Sequence, residues 1–186
     1  MRLFIAIPLP PDLKANLSAV QQELRQLSVQ ASWVRESGFH LTLKFLGEVE
    51  PQRIDPIVSC MVETSRGWTP FSVTVAGVGL FPPNAQPRIL WAGIQDASQH
   101  LRQLQQTLDT HLASIGFPPE DRLFRPHLTL ARLKRIDRWE DFKACVVRHA
   151  GDLFGHLDVS RIELLESQPH PAGARYSTLS AVPLVS

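Results

Sequence analysis

His40-Leu41-Thr42-Leu43-Lys44-Phe45-Leu46 is answered 87 positions later, from residue 127, by His127-Leu128-Thr129-Leu130-Ala131-Arg132-Leu133. The first four residues of the two copies are identical. Each copy reads as a β-strand, over residues 39–46 and 127–133, because its residues are mostly apolar or β-compatible. Successive side chains of a strand leave opposite faces, so His40 and Thr42 share one face while Leu41 and Leu43 share the other. His127 and Thr129 repeat the arrangement. One His in an apolar strand reads as an ordinary, half-buried residue bonded to a neighbour. The same tetrapeptide used twice, inside a longer repeat, points instead to a site built from two histidines.

The repeat extends beyond these strands. Arg2-Leu3-Phe4-Ile5-Ala6-Ile7 is matched by Arg88-Ile89-Leu90-Trp91-Ala92-Gly93-Ile94, and Arg175-Tyr176-Ser177-Thr178-Leu179-Ser180-Ala181-Val182 is a third relative. A helix signal follows the first run, with Pro10-Pro11-Asp12 ahead of Leu13, Leu17, Val20, Leu24 and Leu27 on one stripe. Another follows the second run, from Asp96 through Leu101, Leu104, Leu108, Leu112 and Ile115 to a stop at Gly116. Second helices are expected near residues 52–65 and 139–148, followed by strands at 71–79 and 156–165. Each half thus reads β-α-β-α-β, with a further strand near Arg88 and Arg175. A long period present twice is an internal duplication, not a solenoid. The expectation is an α+β fold, a bilobal duplication with two antiparallel-type sheets, helices on their outer faces and a central cleft. Residues 1–186 would form a single domain of two pseudo-symmetric lobes, with His40 and His127 on opposite walls of the cleft.

Composition narrows the class. Of 186 residues, 44% are hydrophobic and 20% charged, a globular balance with no run long enough to span a bilayer. The apolar run after Met1-Arg2 ends at Pro8, so it reads as a strand and not a signal peptide. Cys60 and Cys145, the only two cysteines, fall in expected helices without a CxxC or a His-Cys cluster and read as reduced core thiols of a cytoplasmic protein. No phosphate-cradling glycine motif appears, and neither HxTx tetrapeptide offers a third ligand for zinc. No cofactor and no metal are expected. A net charge of +1 is too small for tight, nonspecific binding to long duplex nucleic acid. It suits a small or terminal anionic group held in a locally basic cleft.

Two imidazoles supply an acid and a base, since the ring titrates at about 6.5 when unperturbed. A phosphodiester fits such a pair: one His takes the proton of the attacking oxygen and the other protonates the leaving oxygen. The Thr42 and Thr129 hydroxyls can donate to the non-bridging oxygens, where negative charge must be held. Lys44 has the parity of His40 and Thr42, so it reads either as positive charge in the cleft or as a solvated cation at a strand end. Arg125, just before Pro126-His127, reads as a phosphate or RNA contact or as a surface cation.

The paired HxTx motifs resemble those of the two-histidine (2H) phosphoesterase superfamily. Arg2-Leu-Phe-Ile-Ala-Ile7, Phe39-His-Leu-Thr-Leu-Lys-Phe-Leu-Gly47, Pro87-Arg-Ile-Leu-Trp-Ala-Gly93 and Phe124-Arg-Pro-His-Leu-Thr-Leu-Ala-Arg132 are similar to its bacterial and archaeal RNA 2′,3′-cyclic phosphodiesterases, formerly called 2′-5′ RNA ligases. The resemblance implies metal-independent hydrolysis of an RNA terminal 2′,3′-cyclic phosphate to a 2′-phosphomonoester. It also implies a reversible 2′-5′ joining of tRNA halves. It assigns His127 as proton acceptor and His40 as proton donor, a choice that the near-symmetric motifs leave open. It further marks Arg132 as a phosphate contact and Phe45 as a stacking partner of the terminal base. Strict alternation gives both residues the parity of the buried leucines, so each can serve only where its strand bulges, twists or ends.

Trp33 and Trp91 read as core residues; His100 and His111 lie on an expected helix, His149, His156 and His170 lack the Thr partner, and none of the five is given a catalytic role. The loop at residues 79–87 is of a kind that could shape access of RNA. The expected partner is an RNA 3′ end, with no membrane and a monomeric chain. Two rival readings are a phosphodiesterase for another 2′-linked nucleotide, such as a 2′-5′ oligoadenylate or a small cyclic nucleotide, and a nucleotide-binding module without turnover.

Overall fold

The leucine stripes fold as their spacing requires. In the computed structural model, which describes residues 1–83, 86–170 and 174–185, the first stripe lies on α1 (Pro11–Arg25) and the second on α3 (His100–Ser114). Leu13, Leu17 and Leu24 of α1, and Leu101, Leu104, Leu108 and Leu112 of α3, are almost wholly removed from solvent. Pro11 occupies the first turn of α1, where its missing N–H is no loss. The Asp96 carboxylate accepts the Leu101 N–H at 2.9 Å at the start of α3. The other two helices are α2 (Ile54–Ser65) and α4 (Trp139–Arg148). None of the described helices is long and apolar enough to cross a membrane.

The strands are β1 (Arg2–Pro8), β2 (Val29–Trp33), β3 (His40–Glu48), β4 (Phe71–Phe81), β5 (Ile89–Gln95), β6 (His127–Ile136), β7 (Leu153–Val159), β8 (Arg161–Gln168) and β9 (Arg175–Pro183). They form two antiparallel sheets, one in the order β3-β1-β8-β9 and the other β2-β6-β5-β4-β7. The two-sheet α+β architecture is the one expected, with three differences of detail. First, the sheets do not coincide with the halves of the chain. Helix α1 follows a strand of the four-stranded sheet yet packs on β7 and α4, while α3 follows a strand of the five-stranded sheet and packs on β3 and α2. Each half therefore lends a helix to the other. Second, the strand expected over residues 156–165 breaks at Ser160 into β7 and β8, which belong to different sheets. Third, β2 was not anticipated: its five residues alternate, but only between half-buried and exposed, so no core residue marks it beside the helix before it. In the loop at residues 79–87, Asn84 and Ala85 lie outside the described residues.

Both His-bearing strands carry one residue more than their partners at the same place. Against β1, Thr42 pairs with Ala6 and Lys44 with Ile5, so Leu43 is the extra residue. Against β5, Thr129 pairs with Trp91 and Ala131 with Leu90, so Leu130 is the extra one. Such a bulge turns over the alternation as far as the next irregularity, which in β3 comes at Leu46, since Phe4 pairs with Phe45 and Leu3 with Gly47. Burial follows: residues 43 and 44 are both buried and residue 45 exposed, as are residues 130, 131 and 132 in the second copy. The carbonyl of Leu130 is not wasted. It accepts the Val34 N–H at 3.0 Å and the Gln21 amide of α1 at 2.8 Å.

The bulge corrects the expectation for Lys44. Its ammonium turns away from the His40 face and lies 2.6 Å from Asp109 of α3 and 3.5 Å from Glu120, while donating to the Pro118 carbonyl at 2.6 Å. With 4% of the side chain exposed, Lys44 is neither a cleft cation nor a solvated one. It is an internal tie between β3, α3 and the segment leading to His127. Lys44→Ala would leave the Asp109 carboxylate enclosed without its cation and should lower the unfolding free energy by about 3 kcal/mol. Urea denaturation checks this, and the pair Lys44→Met with Asp109→Leu should recover part of the loss.

Candidate active site

The two histidines stand at the first residues of β3 and β6 and are held in the same way. The His40 Nδ1–H donates to the Gly38 carbonyl at 2.7 Å, and the His127 Nδ1–H donates to the Arg125 carbonyl at 2.7 Å. A carbonyl only accepts, so each bond fixes the tautomer and leaves Nε2 as the working nitrogen of the neutral ring. Thr42 and Thr129 lie two residues on, half-buried on the same faces. Neither hydroxyl is engaged by another side chain among the described residues.

Aromatic rings wall both sites. His40 lies 4.7 Å from Phe4, and Tyr176 meets it edge-on at 5.0 Å and 87°. Gly38 permits this approach, since a Cβ there would stand 3.2 Å from the Tyr176 ring. Phe81 meets His127 edge-on at 5.8 Å and 80°, and lies 5.2 Å from Trp91. Trp91 lies over Gly79, where a Cβ would collide with the indole at 2.1 Å. An open cavity of about 270 Å³ borders His127, lined by Phe81, Trp91, Arg102, Phe124 and Arg125. The buried Trp91 indole N–H has no partner among the described residues.

The bulges settle where the residues beyond the tetrapeptides point. Phe45 and Arg132 occupy equivalent positions of the repeat, and both are exposed. Phe45 is 61% exposed, with its ring 6.1 Å from Phe4 on the His40 side. Arg132 acts electrostatically on the Tyr176 hydroxyl, whose pKa is raised by burial against the opposing pull of Arg132 and Arg2. The packing of β3 against β6 brings the His127 strand beside the strand that carries His40. Arg125 is exposed at the mouth of the cavity beside His127.

Sequence reasoning passed over Phe4, Tyr176, Phe81 and Arg102 and read Trp91 as core. Phe4 and Trp91 fall 87 positions apart, from residue 4 to residue 91. A repeat scan extended to apolar positions would have paired them. Tyr176 carried no such signal.

A model of the family described as LigT like Phosphoesterase matches residues 7–91 and again residues 93–176, once for each half of the chain. The chain belongs to this family. As a LigT-like phosphoesterase it is an enzyme. It is 34% identical over 186 residues to an RNA 2′,3′-cyclic phosphodiesterase of Thermotoga maritima, covering 96% of this chain and 93% of that protein. Identity to the Methanothermobacter thermautotrophicus protein of the same name is 30% over 179 residues, 96% of each chain. The crystal structure of a Thermus thermophilus protein superposes with a TM-score of 0.84 at 28% identity, over 99% of this chain and 98% of that one. Escherichia coli LigT complexed with 3′-AMP shares the fold, with a TM-score of 0.80 at 24% identity over 100% and 98% of the two chains.

Burial holds the His40 pKa down to about 4, against the Gly38 carbonyl, which favours the proton, and with a small push from Lys14. The folded chain thus keeps the ring neutral where the unfolded chain, at about 6.5, takes up a proton. This contribution to stability is whole above 6.5 and is lost as pH falls toward 4. Magnetic-resonance titration of the His40 ring should give a midpoint near 4, and His40→Gln should flatten the loss of stability across that window.

Proposed function

We propose that this phosphoesterase hydrolyses the 2′,3′-cyclic phosphate at an RNA 3′ end, leaving a 2′-phosphomonoester, without a metal ion. With the 5′-hydroxyl of a second RNA in place of water as the attacking group, the same displacement of the 3′ oxygen would join two RNA ends through a 2′-5′ linkage, and its reversal would cleave that linkage. The observation that carries this reading is the matched pair of clamped imidazoles, each with its Nδ1–H tied to a carbonyl and a Thr hydroxyl two residues along its strand. The names of the relatives and the 3′-AMP held by the Escherichia coli neighbour support the substrate class.

In this scheme His127 takes a proton from water as its oxygen attacks phosphorus. The bond to the 3′ oxygen breaks, and His40 gives that oxygen a proton. Thr42, Thr129 and Arg132 hold the non-bridging oxygens, where charge accumulates. Phe45 offers an exposed face to the terminal base, and Arg125 meets the RNA beside His127. A His40 pKa of about 4 opposes the donor role in the empty site. The phosphodiester reverses this by setting a negative charge against the ring, which favours the imidazolium. The acid therefore acquires its proton with the substrate.

Three outcomes test the scheme. Activity on RNA ending in a 2′,3′-cyclic phosphate should survive exhaustive chelation and exceed that on 2′-5′ oligoadenylate or a small cyclic nucleotide. A requirement for zinc or manganese would overturn it. His40→Ala and His127→Ala should each lower turnover at least about a hundredfold, and Thr42→Ala or Thr129→Ala about ten- to a thousandfold. On an ester with a nitrophenolate leaving group, which needs little protonation, His40→Ala should recover most of its rate while His127→Ala stays slow. The opposite pattern would exchange the roles.

A further inference from the structure

On the outer side of the five-stranded sheet, α1 and the end of α4 bring together three side chains of different chemistry. Glu23 comes from α1, Cys145 from the last turn of α4, and His149 from the residue that caps it. The His149 Nε2 lies 2.9 Å from one Glu23 oxygen and the Cys145 sulfur 3.7 Å from the other. One donor atom from each of the three falls within 4.8 Å of the other two. We propose that Glu23, Cys145 and His149 form a binding site for a zinc-class divalent cation, separate from the two-histidine cleft.

The donor set selects the ion. Thiolate, imidazole and carboxylate together favour Zn²⁺ over magnesium or calcium, which take oxygen ligands. Zinc at bond lengths of about 2.0 to 2.3 Å in tetrahedral geometry sets its ligands about 3.4 to 3.6 Å apart. The two separations from Glu23, 2.9 and 3.7 Å, bracket that range, and the three donor atoms all lie within 4.8 Å of one another. Cys145 and His149 stand four residues apart, one helical turn, on the same face.

A second observation orients the histidine. Its Nδ1–H donates to the Asp152 carboxylate at 2.6 Å, the carboxylate–imidazole pairing that commonly backs a metal-bound His. The ring meets a carboxylate at each nitrogen, Asp152 at Nδ1 and Glu23 at Nε2. A cation bound at Nε2 takes the place of the proton that otherwise bridges to Glu23. Arg148 now occupies part of that place, reaching both Glu23 and the Cys145 sulfur. Its side chain is 63% exposed and free to swing away. The sequence reading missed the site because its third ligand lies more than a hundred residues from the other two.

Protein stripped with EDTA and desalted should take up one Zn²⁺ per chain by calorimetry. Co²⁺ in its place should give thiolate-to-cobalt charge-transfer absorption. Cys145→Ser and His149→Ala should each weaken Zn²⁺ binding about a hundredfold and abolish that absorption, and Asp152→Asn should weaken it about tenfold. Cys60→Ser and the double variant His40→Ala with His127→Ala should bind as the parent does. Arg148→Ala should tighten binding, whereas a purely ionic cluster would show no such gain. If Cys145→Ser does not fold, Glu23→Gln and His149→Gln carry the same test. The proposal falls if Zn²⁺ is not taken up, if these variants leave uptake unchanged, or if Arg148→Ala weakens it.

Discussion

One extra residue in each of two strands governs the active face of this enzyme. Were β3 and β6 regular, Phe45 and Arg132 would face the core and Lys44 would face the cleft. The bulges at Leu43 and Leu130 exchange these positions. They also set demands on the interior, because an unpaired carbonyl or an inward-facing ammonium must find a partner. Gln21 answers the first demand at β6, and Asp109 answers the second at β3. The partners come from α1 and α3, so the helices that cover the sheets also hold the irregularities in them.

That exchange of helices matters for how the halves cooperate. Each lends its first helix to elements of the other half, α1 to β7 and α4, and α3 to β3 and α2. The apolar stripes of α1 and α3 are therefore buried only when both halves are present. His40 and His127 are set by short local bonds to Gly38 and Arg125. Their mutual placement is set by the packing of β3 against β6 and by the aromatic rings around them. Rigid walls of this kind limit ring rotation and keep each Nε2 in a defined place.

Much of this was legible from residues alone. The HxTx pair, the leucine stripes and the 87-residue period pointed to the two strands, the four helices and the doubled plan. The lobe assignment was not legible, since nothing in a local pattern says which sheet a helix will cover. The strand at residues 156–165 read as one because both of its pieces are apolar and alternate. The bulges were hidden for a similar reason: His40 to Phe45 alternates on paper, with Leu41, Leu43 and Phe45 on one face. The second copy held the clue, because Ala131 stands where Lys44 does in the first. A position that takes Ala in one copy is a poor place for a solvated charge. The Cys145–His149 pairing was passed over because His149 lies just beyond the helix expected over residues 139–148, and only tertiary structure supplies Glu23.

Phe45 and Arg132 carry a consequence of their own. They hold the same post in two copies of one frame, yet one is an apolar plate and the other a fixed cation. A frame with near-twofold symmetry would accept a ligand either way round. Unlike occupants at matched posts remove that degeneracy, so the groove has a head and a tail. A molecule with a base at one end and a charged linkage at the other meets a matching polarity in only one of its two orientations. In the proposed scheme, that unlikeness between the repeats would separate the side of the attacking oxygen from the side of the departing one.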